Sequence, residues 1–140
     1  MSDSRRTYRA IQSKLVQIQG YPSGRVLQRT TVLAAYIAGI VRSKSTQGRK
    51  VAEQSGMRSK VESRVKQLER WYSNQNVSYE LDYLPYVSHL LDGLSDAPLV
   101  LAIDGSEIGR GCMALMINLI YEKRSIPLVW VVFQRPKGHA

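Results

Sequence analysis

The sequence predicts an α+β chain, with helices over residues 1–95 and strands over residues 96–140. Three observations lead there. Apolar residues recur at helical spacings as far as Leu94, and after Pro98 the pattern changes to continuous apolar runs broken by turns. Charge divides at the same place. Residues 1–95 carry 15 Lys and Arg against 7 Asp and Glu, a net of +8, whereas residues 96–140 carry 5 against 4, a net of +1.

Ile11, Leu15 and Ile18 lie on one face of a first helix that ends at Gly20, and Tyr21-Pro22-Ser23-Gly24 forms a turn. A second helix is predicted from Val26 to Arg42. Its centre, Val32 to Ala38, is apolar nearly all round, the pattern of a buried helix and the hub of the helical region. Val51, Ala52 and Gln54 suggest a short helix closed by Gly56. Ser59-Lys60-Val61-Glu62 fits a capping box, in which the serine and the glutamate each satisfy an orphan amide of the first turn. The helix that follows runs to about Asn74, with Val61, Val65, Leu68 and Tyr72 as its apolar stripe and Lys66 and Arg70 opposite. A last helix is predicted from Leu81 to Leu94, with a boundary at Gly93 to Pro98.

Leu99 to Ile103 reads as a strand buried on both faces and ended by Asp104-Gly105-Ser106. Cys112 to Tyr121 and Ile126 to Phe133 read as a hairpin around the charged turn Glu122 to Ser125. Pro127 has no amide hydrogen for a ladder, which puts the third strand at a sheet edge.

Composition excludes several classes. With 44% hydrophobic and 22% charged residues, the chain can build a core. A single cysteine, Cys112, allows neither a disulfide framework nor a cysteine zinc site and fits a reducing compartment. No apolar leader opens the chain, and the longest apolar run, Val32 to Val41, is about half the roughly 20 residues of a membrane span. A cytoplasmic location is therefore expected. The surplus of +9 and its concentration before residue 95 point to a polyanion partner, against the plainer reading of solvated helix faces.

A short helix, a glycine turn and a basic helix form an arrangement like a helix-turn-helix, whose second helix enters a major groove. Arg58, Lys60, Arg64, Lys66 and Arg70 are its candidate contacts to double-stranded DNA. An ordinary bundle corner, with Glu62 and Lys66 as a solvated pair, accounts for the same residues. Asp104 follows an apolar strand, a position that fixes a carboxylate at the mouth of a sheet, while Asp-Gly is equally a turn sequence. Trp71 and Trp130 lie in apolar patterns and read as core. His89 and His139, each without a partner at ligand spacing, are assigned no role.

Ala102-Ile103-Asp104-Gly105-Ser106, then Leu119 to Trp130 (Leu-Ile-Tyr-Glu-Lys-Arg-Ser-Ile-Pro-Leu-Val-Trp), then Lys137-Gly138-His139, resemble the start of the catalytic domain of DDE transposases of bacterial insertion sequences. Val51-Ala52 and Ser63 to Trp71 are similar, more loosely, to the N-terminal DNA-binding helices of those proteins. The resemblance implies an RNase H-like fold, of which residues 96–140 would be the first three strands in the order three, two, one, in a truncated domain. It implies that Asp104 is the first of three catalytic carboxylates and a ligand of Mg²⁺ or Mn²⁺. Phosphodiester cleavage and strand transfer at a pair of ions about 4 Å apart need more than one such ligand. Glu107 and Glu122 do not take the other two places, so the resemblance implies a transposase fragment inactive alone. A non-enzymatic DNA-binding protein, pairing with a full-length transposase to inhibit it or associating with itself, is the alternative, and a third is an unrelated basic helical domain with a hairpin.

Overall fold

A computed structural model describes residues 2–134 as six helices followed by three antiparallel strands. The helices are α1 (Asp3–Ile18), α2 (Gly24–Ser43), α3 (Gly48–Gln54), α4 (Val61–Tyr72), α5 (Tyr79–Asp82) and α6 (Leu84–Asp92). The strands are β1 (Val100–Gly109), β2 (Cys112–Tyr121) and β3 (Arg124–Gln134). Two compact units divide the chain, Met1–His89 and Leu90–Ala140. The α+β class of the sequence reading is the class observed. The Lys137-Gly138-His139 motif lies outside the described residues.

In the first unit α2 is the hub, packing against α1, α3 and α4. Its small residues Ala34, Ala35, Ala38 and Gly39 are buried because neighbouring helices come close there. At Gly39 even a methyl group would overlap the Val51 carbonyl oxygen, so the α2–α3 crossing depends on a residue without Cβ. Val32, Val51, Ala52 and Leu68 form the core, with Tyr36, Val61, Val65 and Trp71 packed around it. Trp71, and not Tyr72, completes the α4 stripe. Its ring meets Tyr36 at 5.8 Å between centroids, whereas Tyr72 is exposed, because α2 lies towards the Trp71 side of the helix.

Two helix boundaries differ from the sequence reading. The capping box at Ser59 does not form: Lys60 is the N-cap residue of α4, and no side chain caps it. Reciprocal capping occurs instead at α5, where the Ser78 hydroxyl accepts from the Leu81 amide at 3.3 Å and Asp82 Oδ2 accepts from the Ser78 amide at 3.1 Å. The helix expected from Leu81 to Leu94 is split into α5 and α6 around Tyr83. Pro85 explains the break, since it has no amide hydrogen to reach the Leu81 carbonyl and fits only the first turn of a new helix. The Leu81 carbonyl takes a long contact of 3.4 Å from Gln19 Nε2 of α1.

Polar groups tie α2 to its neighbours as well. Asp82, 8% exposed, faces Arg29 of α2 at 3.5 Å, an ion-pair distance without hydrogen-bond geometry. Thr30 donates to Gln19 Oε1 at 2.6 Å, and its hydroxyl also lies 3.0 Å from the Val26 carbonyl.

The second unit is a three-stranded meander with β2 in the centre, paired antiparallel to β1 and β3. Both hairpins turn through two residues with positive φ, Arg110 (51°) and Gly111 (72°), then Glu122 (45°) and Lys123 (64°). That conformation suits the right-handed twist of the strands it joins. Pro127 lies on an edge strand and opposes Asn118, beside a register shift that leaves Leu128 as the extra residue.

The first strand departs most from expectation. It does not end at Asp104 but continues to Gly109, with Asp104, Gly105 and Ser106 opposite Met116, Leu115 and Ala114. Nor is it buried on both faces, since Val100, Leu101, Ile103 and Ile108 are exposed. An apolar run marks a strand that can accept cover on both sides; it does not supply the cover. Burial is confined to Ala114, Asn118 and Leu119 of the central strand and Leu128 of β3. Trp130, read as core, is 43% exposed.

Candidate nucleic-acid interface

The site is built from α3, the turn Ser55 to Lys60, and α4. Its turn is held from three sides. Ser55 is fully buried and its hydroxyl donates to the Ala52 carbonyl at 3.0 Å. Gly56 has φ +76°, and a Cβ there would lie 2.5 Å from the Ser4 carbonyl oxygen of α1, so both its conformation and its packing call for glycine. Ser4 itself donates to Gln54 Oε1 at 2.8 Å, fastening α1 to the end of α3.

Arg64 provides the third restraint. Its Nε donates to the Ser59 carbonyl at 2.6 Å, and its Nη1 donates to the Ala52 and Glu53 carbonyls at 3.1 and 3.4 Å. The last carbonyls of a helix have no partner within it, and a guanidinium with five donors on a planar fork satisfies several at once. Arg64 thus closes the C-terminus of α3 onto the first turn of α4. By its place in the basic helix Arg64 reads as a candidate DNA contact. Its position in the fold gives it a structural duty, with most of its donors turned to the backbone.

The other candidates face outward. Arg58 and Lys60 are exposed in the turn, and Lys66 and Arg70 are exposed on α4, one turn apart on the side away from the core. Lys66 and Arg70 line one shallow depression with Glu69 and Ser73, and Arg70 Nε donates to the Lys66 carbonyl at 3.2 Å, leaving its terminal nitrogens available. Glu62 is turned away from Lys66: it meets Arg49 of α3 at 3.9 Å, and Arg49 also meets Glu53 at 3.4 Å. Such exposed pairs add at most about 1 kcal/mol, but they place two of the acidic side chains beside a cation. The outer face of α4 keeps Lys66 and Arg70 against Glu69, with Lys60 exposed at the N-cap.

A second feature adjoins that face. A groove of about 750 Å³ lies between α2 and α4 and runs to Asn74 and Asn76, lined by Arg25, Gln28, Arg29, Arg70 and Trp71 among others and, among the described residues, by no Asp or Glu. Arg25 is not among the candidate contacts read from the sequence, where Trp71 is weighed as a stacking residue and read as core. The signal for Arg25 in the sequence is its spacing from Arg29, one turn apart on α2.

Asp104 belongs to the other unit. Its carboxylate is exposed in mid-strand and accepts from the Ser106 hydroxyl at 3.2 Å. Glu107, an odd number of residues along an extended strand, projects from the opposite face. Among the described residues no three His, Cys, Asp or Glu side chains gather closely enough to hold a metal ion. One carboxylate and a hydroxyl do not fit a pair of divalent ions, and no catalytic step is derived from them. Among the described residues no helix is long and apolar enough to cross a membrane. No model of a known protein family matches the chain, nor does any curated protein or solved structure.

Proposed function

We propose that this chain binds duplex DNA through the α3–turn–α4 unit, with Lys66 and Arg70 of α4 and Arg58 and Lys60 of the turn as contacts. The observation that carries the reading is the division of labour on α4. Arg64 fixes the helix to α3 through the Ala52 and Glu53 carbonyls and to the turn through the Ser59 carbonyl, while Lys66 and Arg70 of the same helix stay exposed on its outer side. A rigidly presented basic helix after a glycine turn is what major-groove entry requires.

The resemblance of the 99–139 stretch extends the proposal to a class. The chain would then carry the DNA-binding region and the first three strands of an RNase H-like catalytic domain of an insertion-sequence transposase. The antiparallel meander and its strand order support this. Catalysis in that class would need Mg²⁺ or Mn²⁺ and carboxylates beyond Asp104, which the described residues do not supply, so the activity proposed for this chain is DNA binding.

Anisotropy of a labelled duplex, titrated with protein over a salt series, tests the proposal. Log affinity should fall linearly with log salt, by about 0.9 for each phosphate neutralised. Lys66→Ala and Arg70→Ala should weaken binding, and Asp104→Ala should leave it unchanged. Salt-independent binding, or none, sinks the reading. Using the ends of an adjoining insertion element as the duplex tests the narrower class.

A further inference from the structure

The groove between α2 and α4 combines cationic and amide side chains with the apolar Leu27, Val32 and Trp71. Arg25 and Arg70 reach it from the two helices, Gln28, Gln67, Asn74 and Asn76 add amides, and no carboxylate among the described residues lines it. Arg29 is occupied by Asp82, but neither Arg25 nor Arg70 makes an ion pair with a carboxylate among the described residues. Trp71, which also lines the groove, has its indole Nε1–H buried with no acceptor among the described residues.

Such a lining selects its ligand by chemistry. Its two guanidiniums suit an anion, and a planar guanidinium on each side favours the paired oxygens of a phosphate. Arg70 belongs both to this groove and to the outer depression with Lys66 on α4. A duplex lying on α4 therefore brings its sugar–phosphate backbone to the mouth of the groove.

We propose that the α2–α4 groove holds a backbone phosphate of bound duplex DNA, gripped between Arg25 of α2 and Arg70 of α4. This rests on the DNA-binding reading and adds a second helix, outside the α3–α4 pair, to the interface.

Anisotropy titrations of the full chain on a labelled duplex between about 50 and 200 mM salt test it. Arg25→Ala should reduce the salt slope by about 0.9, so that its deficit relative to wild type shrinks about 3.5-fold across that range. Gln28→Glu, which puts a carboxylate at the groove, should weaken binding at least as much. Lys123→Ala in the second unit should match wild type. If wild type binds with a salt-dependent slope and both groove variants retain it, the groove assignment is overturned while the DNA reading stands. If wild type shows no salt-dependent binding, both fall. A third arm titrates inorganic pyrophosphate against thermal unfolding: protection lost in Arg25→Ala, together with an unchanged DNA slope, would assign the groove to a free anion and overturn the backbone assignment.

Discussion

Among the cations of α4, Arg64 and Lys66 are two residues apart and have opposite relations to the fold. Arg64 donates to three carbonyls across the α3–α4 turn, whereas Lys66 is exposed. Arg64→Ala should therefore cost about 1–3 kcal/mol in urea denaturation, discounted towards the lower end because the guanidinium is partly exposed. Lys66→Ala should stay within about 0.5 kcal/mol of wild type while weakening DNA binding. Equal stability of the two variants would remove Arg64 from its structural role. Tyrosines give the residue scale a pH dependence. Burial raises the pKa of Tyr8, Tyr83 and Tyr86 above 10.0, with Tyr79 adding to the rise at Tyr83 and Asp82 at Tyr86, where Thr30 and Gln19 oppose it. An acid whose folded pKa is raised contributes stability in full below its unfolded value and loses it as pH rises through the folded value. The helical unit should thus lose stability above about pH 10, and Tyr86→Phe should flatten that loss. An alkaline limb of the urea midpoint identical in Tyr86→Phe and wild type would contradict this.

At the scale of elements, close approach and turn geometry decide. A methyl group at Gly39 meets the Val51 carbonyl, which belongs to the backbone of α3 and cannot swing aside. Gly39→Ala should cost about 1–3 kcal/mol by overpacking, although alanine is the better helix former. Gly48→Ala, with open space around its position, serves as the matched control. The Glu122-Lys123 turn offers the opposite case. Both residues are held at positive φ, where glycine and asparagine are favoured. Replacing the pair by Asn-Gly should stabilise the second unit by about 1 kcal/mol, read as a higher unfolding midpoint of the sheet. No gain would mean that the turn relaxes to another type in solution.

For the whole molecule the two units have unequal cores. The helical unit encloses Val32, Val51, Ala52 and Leu68, while the sheet leaves Ile103, Ile108, Val131 and Phe133 exposed. Among the described residues nothing pairs with the outer edge of β1. An unpaired edge beside exposed apolar side chains favours association between copies. The chain should therefore form oligomers or aggregates in a concentration-dependent way. Light scattering on the full chain should show this, with Ile103→Lys and Val131→Lys shifting it towards monomer. A monodisperse wild type that matches both variants would show that the sheet is covered in solution.

Period and composition alone determined the α+β class, the change near Pro98 and the helices from α1 to α4, because amphipathic spacing and glycine stops are local properties. The exposed cations Lys66 and Arg70 were legible for the same reason: they stand opposite Val61, Val65 and Leu68 on one helix. Only the tertiary structure decided which serine caps a helix, since Ser59-x-x-Glu62 is a better local match than Ser78, yet Ser78 has Asp82 fixed beside it by Arg29. It decided that Arg64 serves the backbone, because Ala52 and Glu53 come within its reach through a turn packed on α1. It also decided that Asp104 lies within a strand: Asp-Gly is a turn sequence in isolation, but ladder partners from β2 at Met116 and Leu115 keep both residues extended. In each case the deciding partner is distant in sequence, and a local pattern carries no information about distant partners.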